Sequence, residues 1–104
     1  MCAHHEHRPH TEHVVLELGD ELGALVVYTD AALLHEEIEI SPSADDSQRS
    51  HKDVLERRAG GRSHHVAVFD RLECGTYTLW HRGAPLARRV AVAGGEVAEL
   101  DCRG

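Results

Sequence analysis

Short runs rich in apolar and β-branched residues, separated by glycine, proline or aspartate, constrain the fold of this chain most strongly. Turn signals recur roughly every eight to twelve residues, which is the spacing of an antiparallel sandwich. The strand-like runs cover residues 13–18, 24–29, 37–41, 51–58, 63–70, 75–80, 88–92 and 96–102. None shows sustained helical periodicity. The pattern therefore predicts an all-β fold, a single antiparallel β-sandwich of about seven to eight short strands over residues 13–104.

The run 51–58 is ambiguous, because its apolar residues also fit one face of a helix. The glycine pair at 60–61 follows directly and favours a strand, since glycine accepts the positive φ of a tight hairpin turn. Such a hairpin would place His65 opposite Glu56. His64 would then face the other side of the sheet, because successive side chains of a strand alternate.

Charge and length exclude several partners. The chain has 104 residues with 18 acidic and 11 basic side chains, a net charge of −7. One domain is expected at this length. A negative chain is a poor ligand for a phosphate backbone, so no nucleic-acid partner is expected. The longest apolar run, 23–28, is too short to cross a bilayer, and the histidine-rich start lacks a secretory signal. We therefore expect a cytoplasmic protein with no membrane partner.

The three cysteines, Cys2, Cys74 and Cys102, form no CxxC pair. An odd count in a chain without a secretory signal argues against a disulfide framework. The sequence therefore predicts that Cys74 and Cys102 are reduced.

Residues 1–12 form a histidine-rich N-terminal tail with no apolar periodicity. Side chains that ligate transition metals are concentrated there and at the start of the next run: Cys2, His4, His5, His7, His10 and His13. Imidazole and thiolate are preferred ligands of zinc, copper and nickel. His5 and His7 point the same way on an extended chain. Removal of Met1 would also give an amine-x-x-His site ending at His4, which suits square-planar copper or nickel. We expect a bound transition metal ion, with zinc favoured over copper or nickel.

A second candidate set comprises His51, His64 and His65, with Glu56 nearby in the predicted hairpin. A histidine beside a carboxylate can be held in one tautomer, as metal ligands are. The alternative is an ordinary cross-strand surface pair, which contributes well under about 1 kcal/mol. His35 and His81 are expected to be exposed loop residues.

The last third of the chain resembles a known sandwich pattern. The residues that carry it are Phe69, Leu72, Gly75, Tyr77, Leu79, Gly83, Val90, Val92, Gly95, Val97 and Leu100. They are similar to the final strands of prealbumin-like (transthyretin-like) and carboxypeptidase-regulatory-type β-sandwiches. The resemblance implies a prealbumin-like or immunoglobulin-like fold. It also implies that the Tyr77 hydroxyl closes a sandwich corner onto nearby backbone.

The whole chain resembles a group of short His-rich actinobacterial proteins that are often labelled phospholipases. The histidine-rich start and the segments 23–30 and 36–42 carry this resemblance. The label implies hydrolysis, yet the chain has no Gly-x-Ser-x-Gly elbow and no HExxH motif. No catalytic residue is assigned.

Three functional hypotheses follow. The first is a non-enzymatic β-sandwich that binds a transition metal through its N-terminal segment, for metal handling or protein contacts. A metal ion bridging two tails would make a homodimer. The second is a small metal-dependent hydrolase, in which His51 and His64 or His65 join a tail histidine around zinc. An open coordination position would hold water, and Glu56 would act as base. The third is an interaction module whose ten histidines tune binding with pH.

Overall fold

The computed structural model describes residues 21–103, and these residues form eight β-strands and one 3₁₀ turn. In chain order the elements are β1 (Leu22–Thr29), the 3₁₀ turn (Ala31–Leu33), β2 (Glu37–Pro42), β3 (Ser50–Asp53), β4 (Leu55–Ala59), β5 (Arg62–Glu73), β6 (Gly75–His81), β7 (Ala84–Val92) and β8 (Val97–Asp101). The predicted all-β class is confirmed. The boundary predicted between residues 12 and 13 lies outside the described residues.

The strands form two four-stranded sheets packed as a sandwich. The β1 sheet has the order β4-β5-β1-β8, and the β2 sheet has the order β3-β2-β6-β7. Within residues 21–103 every strand pair is antiparallel except β1 and β8, which run parallel with Ala24 opposite Val97. The predicted antiparallel sandwich is confirmed at the other strand pairs of this part of the chain, and the parallel β1–β8 pair is the exception. Strand β7 belongs to the β2 sheet, and the chain crosses from it to the β1 sheet before β8 begins. Because no hairpin joins β8 to β1, the two strands are free to run parallel.

The core lies between the two sheets and is built by alternation along the strands. In β2, Ile38 and Ile40 are buried while Glu37 is exposed, because successive side chains face opposite sides. The buried members of this core are Leu25, Val27, Ile38, Ile40, Val54, Ala67, Phe69, Tyr77, Leu79 and Val92. Strand β1 is buried on both faces, as expected for a central strand.

A second apolar cluster lies on the outer face of the β1 sheet. Its buried members are Ala24, Val26, Tyr28, Val66 and Val97. They alternate with the core residues of the same strands, so they point away from the β2 sheet. We call this cluster the outer patch. The β1 sheet therefore differs from the β2 sheet, whose outer face is polar at Glu37 and Glu39.

Val54 is the residue at which the run 51–58 changes sheets. Strand β3 pairs in the β2 sheet, whereas β4 pairs in the β1 sheet. Val54 lies between them with no exposed surface, and its amide donates to the Glu36 carbonyl at 2.9 Å. The strand interpretation is confirmed, but one continuous strand was expected and the structure has two. The burial of the Val54 side chain inside the sandwich explains the break.

Tyr77 closes the sandwich corner as the resemblance implied. Its hydroxyl donates to the Glu73 carbonyl at 2.5 Å, just across the turn that leads into β6. Burial of the ring, together with the negative charge of Glu73, raises the pKa of Tyr77 above its ordinary value. The hydroxyl is therefore a stable donor at neutral pH.

The described ladders have three register shifts, and at two of them an arginine adopts left-handed backbone. In β5, Asp70 and Arg71 together oppose Ala24 of β1, and Arg71 has a φ of 54°. In β7, Arg89 has φ 56° where Arg88 and Arg89 together oppose Thr78 of β6. An extra residue on one strand is what defines a bulge, and it redirects the side chains around it.

Candidate functional site

The principal metal-ligand candidates lie outside the described residues. These are Cys2, His4, His5, His7, His10 and His13. The structural description of candidate ligands therefore begins with the histidines of the sandwich.

His64 and His65 lie where the hairpin interpretation predicted. His65 is paired with Glu56 and His64 with Arg57 across the β4–β5 hairpin, which confirms the predicted register. The His64 ring makes an edge-to-face contact with Tyr28, with 5.9 Å between ring centroids, so His64 borders the outer patch. His65 faces the other side of the sheet, and its carbonyl accepts from the Thr29 hydroxyl at 3.4 Å. Both histidines are half-buried.

His51 belongs to the other sheet. It lies on β3, and its Nε2 is 3.3 Å from Oε2 of Glu37, with both side chains more than half exposed. In the described part of the chain, no three His, Cys, Asp or Glu side chains are grouped as a metal site would require. His51, His64 and His65 therefore do not converge. The sequence could not reveal this, because the change of sheet at Val54 separates His51 from the hairpin that follows.

The sequence did not predict an ion cluster at the end of β6, formed by Glu36, His81 and Arg82. Glu36 Oε1 lies 2.9 Å from His81 Nε2, and Arg82 donates to both carboxylate oxygens of Glu36 at 3.1 Å. The hydrogen bond with His81, followed by the one from Arg82, lowers the pKa of Glu36 below its ordinary value. His81 was expected to be an exposed loop residue, but its side chain is only 19% exposed. The contacts span 45 residues of sequence, so no local pattern indicates them.

Trp80 organises the outer face of the β2 sheet. Its indole N–H donates to the Ser41 hydroxyl at 2.9 Å. The Arg49 guanidinium lies 3.9 Å from the ring centroid and that of Arg88 lies 5.3 Å away. Both distances fall within cation–π range. Arg49 is also paired with Glu39 at 3.3 Å.

The cysteines depart from expectation at one position. Cys74 is disulfide-bonded, so the prediction that it is reduced is wrong. Cys102 is a free thiol, as expected. Burial, reinforced by the charge of Asp101, raises the pKa of the Cys102 thiol. A raised pKa disfavours the thiolate, so Cys102 is not activated as a nucleophile or as a metal ligand.

Comparison with family models, with curated proteins and with solved structures found no match to this chain. The resemblance to His-rich actinobacterial proteins therefore stays a prediction. Within residues 21–103, no helix is long and apolar enough to cross a bilayer.

Proposed function

We propose that this protein is a non-enzymatic β-sandwich that binds a transition metal ion, zinc above copper or nickel, through its N-terminal Cys/His-rich segment. One observation carries the proposal: five histidines and a cysteine fall within the first thirteen residues. Short Cys/His-rich tracts of this kind are a compositional signal of metal binding. Metal handling or metal-dependent protein contacts are the corresponding roles.

His64 is the histidine of the sandwich best placed to join this segment. His64 borders the outer patch beside Tyr28. Tyr28 lies about 20 Å from Leu22 along β1, because a strand rises roughly 3.3 Å per residue. The chain between His13 and Leu22 spans up to about 30 Å when extended. The N-terminal histidines are therefore within reach of His64. A ligand fixed on a strand would lower the entropic cost of organising a site on the segment.

The hydrolase hypothesis is less well supported by the geometry. It requires His51 to share one ion with His64 or His65. His51 instead contacts Glu37 on the β2 sheet, while the other two histidines lie on the β1 sheet. Glu56 lies opposite His65 in the β4–β5 ladder, but one histidine and one carboxylate do not make a zinc site with an open position.

The test is calorimetric titration of the untagged full chain with zinc, copper and nickel. We expect at least one site of about micromolar affinity or tighter. His5→Gln combined with His7→Gln should weaken binding at least about tenfold, and His64→Gln should weaken it less. His35→Asn is the matched control, because asparagine tolerates the φ of 69° at that turn. Equal affinity in all four proteins would contradict the proposal.

The titration is run with and without reductant, because a cysteine held in a disulfide cannot ligate as thiolate. Zinc-dependent dimerisation, measured by sedimentation, would support a metal ion bridging two N-terminal segments.

We also propose that the protein is located in the cytoplasm, as the sequence led us to expect. The disulfide at Cys74 bears against this placement, since disulfides persist mainly in oxidising compartments. Counting the free thiols of protein that is alkylated directly on cell lysis decides between the cytoplasm and an oxidising compartment.

A further inference from the structure

A cleft lies on the outer face of the β2 sheet, beside the bulge in β7. Its volume is about 360 Å³, and it is lined by Ser43, Thr76, Thr78, Arg88 and Arg89. Ser43, Thr76 and the two arginines of this lining are exposed, whereas Thr78 is buried beneath them. This cleft, which we call the arginine cleft, lies on a different sheet from His64.

The bulge explains how two consecutive arginines line the same cleft. In a regular strand, Arg88 and Arg89 would face opposite sides, and one of them would point into the core. Tyr77 pairs with Val90 and Leu79 with Ala87, so both arginines oppose Thr78 alone. The extra residue keeps both side chains on the outer face.

The backbone of Arg89 adopts a conformation that is unfavourable for a residue with a side chain. Its φ of 56° is the left-handed conformation that glycine usually supplies at bulges of this type. Strained residues of this kind cluster at binding and active sites, where the surrounding structure maintains them. Arg71 has the same backbone conformation in β5, so what distinguishes Arg89 is that it lines the cleft beside Arg88.

Within residues 21–103, neither arginine of the cleft is paired with a carboxylate. In the part of the chain that the structure describes, no carboxylate lies within ion-pair distance of Arg88 or Arg89. Glu39, on this face of β2, is paired with Arg49. The cleft is consequently a local concentration of positive charge on a chain whose net charge is −7.

We propose that the arginine cleft binds a phosphate group, carried either by a small soluble molecule or by a lipid headgroup. A guanidinium presents its N–H donors in a planar fork that matches the oxygens of phosphate. Ser43 and Thr76, which also line the cleft and are exposed, carry hydroxyl groups that can add donors. A doubly charged, multi-oxygen group can engage both guanidinium groups at once, which a chloride ion cannot.

Trp80 is a fluorescent side chain that lies next to an arginine of the cleft. Trp80 is the single tryptophan of the chain, and the Arg88 guanidinium lies 5.3 Å from its ring. We expect inorganic phosphate to change the fluorescence of the full-length protein saturably at neutral pH. Sodium chloride of equal ionic strength should not, because it screens charge without occupying the cleft. Calorimetric titration with phosphate then measures the affinity independently of the fluorophore.

Two variants and one control test the role of the arginines. Arg88→Ala and Arg89→Gly should each weaken phosphate binding at least about tenfold, since each removes a charge-assisted donor set. Glycine relaxes the strained φ at position 89, so Arg89→Gly retains the fold. Arg71→Gly is the matched control, because it removes an arginine with φ 54° from the other bulge. It should leave phosphate binding unchanged.

The source of the phosphate group is distinguished by a vesicle arm. Sedimentation with vesicles of phosphatidylcholine containing phosphatidate is compared between the wild type and Arg89→Gly. Vesicle binding that is lost in Arg89→Gly identifies a lipid headgroup. Phosphate binding that is lost in this variant, without vesicle binding, identifies a soluble ligand. The proposal is overturned if neither phosphate nor vesicles bind, or if Arg71→Gly weakens binding as much as Arg89→Gly.

Discussion

Replacing Val54 by alanine tests the change of sheet on which the fold depends. Val54 is fully buried between β3 and β4, so the substitution removes two methyl groups from the core. Each contributes about 0.8 kcal/mol of transfer free energy. The cavity left by incomplete collapse adds to this, which brings the expected loss of unfolding free energy to about 2–3 kcal/mol. The corresponding fall in the urea midpoint is about 1–2 M for a small domain.

Leu55→Ala is the matched control for this prediction. Leu55 is the next residue, and it remains 46% exposed on the edge strand β4. Its truncation removes more carbon atoms than that of Val54, yet it should cost about 1 kcal/mol or less because the side chain is only partly desolvated. If residues 51–58 were a helix, both side chains would lie on its buried face. Equal destabilisation by the two substitutions in urea unfolding would therefore refute the two-sheet description.

Three further predictions concern other positions. Tyr77→Phe should lower the unfolding free energy by about 1 kcal/mol, since the Glu73 carbonyl loses its donor, and thermal unfolding measures this. Gly23→Ala should cost about 1–3 kcal/mol, because the new Cβ would overlap the Ala93 carbonyl oxygen and lie 2.6 Å from Val92 Cγ1; unchanged stability would contradict that packing. The pKa of Glu36 is lowered below its ordinary 4.5, so its stabilising contribution is present above that pH and is lost as the pH falls through the folded-state value. The unfolding free energy of the wild type should therefore fall more steeply with acidification below pH 4.5 than that of Glu36→Gln, and parallel profiles would count against the ion cluster.

Local signals predicted the parts of the fold that depend on neighbouring residues. The glycine pair at 60–61 predicted the β4–β5 hairpin and the pairing of His65 with Glu56, because turn chemistry sets register over short distances. Alternation in β2 identified Ile38 as a core residue. The corner hydrogen bond of Tyr77 was implied by the resemblance to prealbumin-like sandwiches, and not by a local signal alone.

Features that depend on distant contacts were not predicted. Alternation shows which side chains share a face, but it does not show which strand lies alongside. The parallel pairing of β1 with β8 is one such feature, and the Glu36–His81 contact is another. The bulge at Arg88 and Arg89 was also missed. Nothing in the local pattern indicates that an arginine adopts the backbone usually taken by glycine.

The most direct test of the proposed function is the metal content of the untagged full-length protein, isolated under physiological metal supply. Elemental analysis should find at least one equivalent of zinc, copper or nickel per chain. His5→Gln combined with His7→Gln should reduce that content, whereas His35→Asn should not. A protein isolated free of these metals, and unable to take them up at micromolar concentration, would contradict the account.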